Sequence, residues 1–152
     1  MPRLSEQLPE TYTYADPGTI APNEVIDLRD AADWGTERNE DVWEGVLQQS
    51  IATIGVRDSR DSLVGIGFLA GNPRHALLCD FVVHPSHRGI GIGSAILNRR
   101  INIADALNIP YLYTELAATN KLRKQYEELG FISTGHAYTR AARRHPSELA
   151  ES

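Results

Sequence analysis

Between Leu77 and Gly93 the chain reads LLCDFVVHPSHRGIGIG: an apolar strand, a His-Pro break, then an arginine and alternating glycines. These residue types suit the binding of an anion. Gly89, Gly91 and Gly93 leave the main chain bare, so a ligand can approach its N–H groups closely. A helix starting there adds the positive end of its dipole, which favours a phosphate. Two known phosphate loops fail the spacing test. The dinucleotide pattern G-x-G-x-x-G would need glycine at Ser94 or at Ile96. The nucleoside-triphosphate loop needs a lysine after its last glycine, and none follows these. What fits is R-x-x-G-x-G, met by Arg88, Gly91 and Gly93. The competing reading is a glycine turn that only starts a helix. The strand and the Val-His-Pro segment before it favour the ligand loop.

A second pattern lies downstream. The run from Ile109 to Leu116 is rich in aromatic and β-branched residues and reads as a strand at 111–116. Asn120 offers a helix cap, and Leu122, Tyr126 and Leu129 share one helical stripe. Gly130 ends that helix and Phe131 opens the next strand.

The loop followed by Tyr126-Glu-Glu-Leu-Gly130-Phe131 resembles the two signatures of the GNAT superfamily of acyl-CoA-dependent N-acetyltransferases. The resemblance covers roughly residues 50–131. It implies acetyl-CoA as co-substrate, with the diphosphate over the amides of Arg88, Gly89, Ile90, Gly91, Ile92, Gly93 and Ser94. It implies that the pantetheine arm pairs with backbone at Phe81, Val82 and Val83 and passes near Asn120; Thr119 is an alternative for that position. It also implies that the Tyr126 hydroxyl is the general acid at the sulfur. The base is left between Asp80, Glu115 and a water held by main-chain carbonyls. The implied acceptor is a primary amine of a small molecule or a protein, reached by direct transfer in a ternary complex.

The elements that must position these residues follow from periodicity. A short strand near 11–14 precedes a helix from Pro22 to about Asp33, with Val25, Ile26 and Leu28 inward. Trp34-Gly35 breaks it. A second helix spans 40–49, with Val42, Trp43, Val46 and Leu47 inward. Strands at 51–56, 63–70 and 76–83 form a meander, its first turn at Asp58–Asp61. Residues 94–107 form an amphipathic helix on Leu97, Ile101 and Ala104, flanked by Ile96, Ile103 and Leu107. Strand, helix and strand complete the chain to about Arg140. The predicted fold class is α/β (α+β): a mixed, mostly antiparallel sheet with helices on both faces, the GNAT fold. Only a short segment follows Gly130-Phe131, so the last strand is expected to be short, missing or supplied by a partner. A homodimer is one expectation from that edge.

Composition sets bounds. The 152 residues suit one ordinary domain, with loosely ordered ends expected at 1–10 and 141–152. A net charge of −5 argues against general nucleic-acid binding. No apolar run suits a membrane span, no signal-peptide core is apparent, and the lone Cys79 forms no internal disulfide, so a cytoplasmic location is expected. Cys79 is expected inside a strand and is a poor nucleophile there. His84 and His87 flank a proline without a third ligand, so no metal is expected. Trp34 and Trp43 are read as packing residues, with Trp34 also placed to line an acceptor pocket. Lys121, Arg123 and Lys124 are read as a solvated face, or as an aid to the CoA 3′-phosphate. The alternative functions are a non-catalytic acyl-CoA-binding or sensor domain, and an interaction domain with a purely structural loop.

Overall fold

The computed structural model describes residues 3–35, 37–115, 120–133 and 137–141. Its strands are β1 (Thr13–Tyr14), β2 (Ala52–Arg57), β3 (Leu63–Gly71), β4 (His75–Val83), β5 (Tyr111–Glu115), β6 (Ile132–Ser133) and β7 (Ala137–Ala141). Its helices are α1 (Pro22–Ala31), α2 (Glu40–Gln49), α3 (Ile92–Ala106) and α4 (Asn120–Glu128). All join one sheet in the order β1-β2-β3-β4-β5-β7-β6. Every pairing is antiparallel except β4 with β5. The mixed sheet expected from the sequence is the one found.

Local chemistry explains the helix starts. Pro22 opens α1, where its missing N–H costs nothing. The Glu24 carboxylate accepts the Ala21 N–H at 3.0 Å in the first turn. Asn39 caps α2 by accepting the Asp41 N–H at 2.9 Å. At α3 the capping residue is Gly91, whose φ of +101° is a left-handed conformation that a side chain rarely adopts. The helix therefore starts at Ile92, ahead of the Ser94 expected from its apolar stripe.

Both faces of the sheet are covered. On one, Leu97, Ile101 and Ala104 of α3 and Tyr126 of α4 pack with Leu69, Leu78 and Leu112. On the other, Val25, Ile26 and Leu28 of α1 and Trp43 of α2 pack with Ile66, Phe68 and Val82. Trp43 stacks on Phe68 at 6.1 Å. Two residues expected inward are exposed instead: Val42 on the outer side of α2 and Leu107 just past the end of α3. Leu107 follows the last helical residue, so the helical stripe no longer applies to it. The C-terminal strand is the short option of the three expected. β7 enters the sheet between β5 and β6, pairing Tyr111 with Ala141 and Glu115 with Ala137.

Candidate functional site

The parallel pairing of β4 and β5 runs only from His75 with Tyr111 to Leu78 with Thr114. β4 then continues to Val83 against β3. The two strands part at the centre of the sheet. The strand edge from Cys79 to Val83 has no β5 residue in register with it.

A β-bulge lies at the parting point. Ile66 opposes Val82 and Phe68 opposes Cys79, so Gly67 alone faces both Asp80 and Phe81. Asp80 takes a φ of +52° there, a region that Asp tolerates better than most residues. Its carboxylate lies 3.5 Å from Arg29 Nη1. Arg29 is buried over the Trp43 ring at 4.9 Å, and its Nε has no hydrogen-bond partner among the described residues. Asp80 and Cys79 line a depression shared with Asp41, Val46 and Gln49 of α2.

On the other face, the parting opens into a cavity of about 530 Å³. Phe81, Val82, Val83, Arg88, Gly89, Gly91, Gly93, Ser94 and Tyr126 all line it. The sequence-predicted loop and strand edge therefore meet in one space. Arg88 ties them together, donating from Nε to the Val83 carbonyl at 3.0 Å. Gly89 and Gly91 both have positive φ, and nothing lies within 4 Å of where a Cβ would stand. Their main chain faces open space, as a cradle for a bulky anion requires. The residues present thus fit a phosphate-bearing ligand.

Other predicted residues take different places. Ile92 is buried under the loop and Ile90 is exposed, and neither side chain lines the cavity. Tyr126 is 9% exposed, with its ring 5.6 Å from Phe131. Trp34, 53% exposed, stands on the cavity wall, whereas Trp43 is core. Thr119 and the Glu115, Asn120 and Lys121 side chains lie outside the described residues. His84 and His87 are held locally: His84 Nδ1 accepts the Ser86 N–H at 3.1 Å, and His87 Nδ1 lies 2.8 Å from the Tyr12 hydroxyl. Cys79 is half-buried in β4.

Three lining residues were not among the site residues expected from the sequence: Leu97, read there only as a packing residue, Arg100 and Gln125. Gln125 Nε2 donates to Ser94 Oγ at 3.3 Å, linking α4 to the first turn of α3 beside the loop. Arg100 is the unexpected one. Its guanidinium is fully buried on the cavity wall, and desolvation pushes its pKa down to about 10. The sequence signal was a charge four residues after Ile96, on the inward side of α3.

Residues 16–145 match the family model described as an acetyltransferase (GNAT) domain. No curated protein matches the sequence. Among solved structures, the ribosomal-protein-S18-alanine N-acetyltransferase of Escherichia coli is similar at 16% identity and a TM-score of 0.70. That match covers 89% of this chain and 97% of the other. Ard1 from Thermoplasma volcanium is similar at 14% identity and a TM-score of 0.69, over 88% and 99% of the two chains. A GNAT-family acetyltransferase from Streptococcus pneumoniae TIGR4 reaches 21% identity and a TM-score of 0.65, over 82% and 89%. At these identities the likeness establishes the fold.

Proposed function

This chain belongs to the acetyltransferase (GNAT) family, and we propose that it moves an acetyl group from acetyl-CoA to a primary amine. The acceptor is an amine of a small molecule or a protein, and transfer is direct in a ternary complex. The observation that carries this reading is the parting of β4 from β5 into a cavity walled by the glycine loop and Tyr126.

Each part has a role. The amides from Arg88 to Ser94 hold the diphosphate, with the α3 dipole behind them. The edge at Phe81, Val82 and Val83 offers main-chain groups to the pantetheine amides, beyond the Val83 carbonyl already bonded to Arg88 Nε. A main-chain N–H there polarises the thioester carbonyl. Asn120 is assigned to the pantetheine arm. When bound, acetyl-CoA supplies an activated acyl carbon and a thiol leaving group. Tyr126, which lines the cavity, is assigned as the donor whose hydroxyl proton goes to the departing thiolate sulfur. Asp80 and Glu115 are the carboxylates proposed for the base, with a main-chain-held water as the third option. Trp34, on the wall, shapes acceptor entry.

The ion pair of Asp80 with the buried Arg29 favours a second reading, a non-catalytic acyl-CoA-binding domain, because it commits that carboxylate to structure. A screen of primary amines with acetyl-CoA, reading released thiol, separates the two. Turnover on any amine supports the enzyme, and Tyr126→Phe should then cut kcat about 100-fold or more with little change in acetyl-CoA affinity. Tight acetyl-CoA binding with no turnover on any amine supports the second reading. An unchanged kcat in Tyr126→Phe removes the acid role.

A further inference from the structure

Arg100 is 2% exposed, yet it lines the cavity beside Phe81, Gly93, Leu97 and Tyr126. The fold makes room for it. A Cβ at Gly67 would stand 3.0 Å from both its Cζ and its Nε. Nε donates to the Ile96 carbonyl at 3.4 Å and Nη1 to the Phe68 carbonyl at 3.2 Å. The guanidinium lies 5.5 Å from the Phe81 ring centroid. Among the described residues no carboxylate forms an ion pair with it.

A buried cation without a counter-ion is expensive, and an apolar residue of similar volume would pack there at less cost. The expense is explained if an anion comes to it. The proposed ligand carries two anions that could serve, the diphosphate at the loop and the charge that develops at sulfur; Arg100 Nε lies against the Ile96 carbonyl, three residues along α3 from Gly93. Tyr126, assigned above to the sulfur end of the proposed ligand, lines the same cavity and is close enough to Arg100 to act on its charge. The anion that amine acetylation generates at that end is a thiolate.

We propose that Arg100 is a catalytic residue whose guanidinium stabilises the CoA thiolate as it leaves, an inference that rests on the acetyl-CoA reading above. As the amine nitrogen bonds to the acetyl carbon, the C–S bond breaks and its electron pair goes to sulfur. Arg100 meets that charge without giving up a proton. The Tyr126 hydroxyl then protonates sulfur and recovers its proton from solvent, while the base takes the surplus proton of the amine. The groups facing Arg100 are Tyr126 from α4, Cys79 and the Phe81 ring from β4, and the Phe68 and Ile96 carbonyls. With a pKa of about 10, set by desolvation, the guanidinium stays largely cationic through pH 9.

The test needs no acceptor. Dissociation constants of CoA and desulfo-CoA are measured by calorimetry at pH 7 and pH 9, for the native chain and for Arg100→Met. A bound thiol one unit more acidic than that of free CoA tightens CoA as the pH rises over that interval, by up to about tenfold, because only the thiolate form gains affinity. Desulfo-CoA should show no such change, which controls for titration of Cys79, Tyr126 and Arg100 itself. In Arg100→Met the tightening should vanish or reverse. If the native chain binds both ligands with the same pH dependence, the inference is overturned and the acetyl-CoA reading stands. If Arg100→Met keeps the tightening, Arg100 is not its source. If the native chain binds neither ligand, the acetyl-CoA reading fails and this inference fails with it. The native-chain comparison decides the matter even if Arg100→Met does not fold.

Discussion

Adding one methyl group at two different glycines should move stability in opposite directions. Gly91 caps α3 with a φ of +101°, and no atom lies within 4 Å of the position a Cβ would take. The cost of Gly91→Ala is therefore a backbone cost alone, about 1–2 kcal/mol for an L-residue held in the left-handed region. For a chain of this length, each kcal/mol moves the melting temperature by about 2–4 °C, so Tm should fall by about 2–8 °C. Gly45 lies inside α2, where a Cβ would meet only the Gln49 side chain at 3.7 Å. There Gly→Ala should gain about 0.5–1 kcal/mol from helix propensity, raising Tm by about 1–4 °C. The two variants also separate stability from binding. At Gly91 the new methyl projects into the open space of the proposed diphosphate cradle, so acetyl-CoA affinity should fall as well. At Gly45 it should not change. Thermal melting gives the first comparison and calorimetric titration the second. If Gly91→Ala melts like the native chain and binds acetyl-CoA equally well, both the strain argument and the cradle assignment are wrong.

Two further predictions concern the scaffold. The Arg57 guanidinium, donating to Glu24 at 2.6 Å, holds that carboxyl below its usual range. A carboxyl depressed in the folded state contributes stability above its unfolded pKa and loses it as pH falls through the folded one. Acid melting curves should therefore show stability declining below the ordinary Glu range of about 4.3, with a shallower decline in Glu24→Gln. Ile101 is fully buried between α3 and the sheet. Ile101→Ala should cost about 2–5 kcal/mol in denaturant unfolding, and a loss under 1 kcal/mol would contradict the packing described.

The sequence exposed the elements well because most carry their own local signals. Pro22 and the polar Asp58–Asp61 turn bound their neighbours within a residue or two of the observed ends. The loop stood out because glycines before a helix leave main-chain N–H groups bare, and the structure does cap α3 with Gly91, with open space beside Gly89 and Gly91. Other features depend on contacts distant in sequence. The bulge at Asp80 exists because Gly67 opposes two residues, a matter of register that no local pattern reports. The pairing of Asp80 with Arg29 joins β4 to α1, so reading Asp80 from its own neighbours gave a candidate base and not its ion-pair partner. Val42 read as inward from helical spacing, but α2 presents Trp43 to the core and leaves Val42 outside. Arg100 was overlooked because charged side chains on a helix are normally solvated. Its burial depends on the space left by Gly67 on a strand far back in the chain.

The central claim is that the glycine loop and the parted strands form an acyl-CoA site. Thermal melting with acetyl-CoA, CoA, NAD and ATP tests it most directly. At 100 times Kd, a bound ligand adds about 2.7 kcal/mol, which for this chain length is a rise of about 5–11 °C. The account predicts that rise with acetyl-CoA and CoA and none with NAD or ATP. A chain that melts at the same temperature with acetyl-CoA and CoA as without them would contradict it.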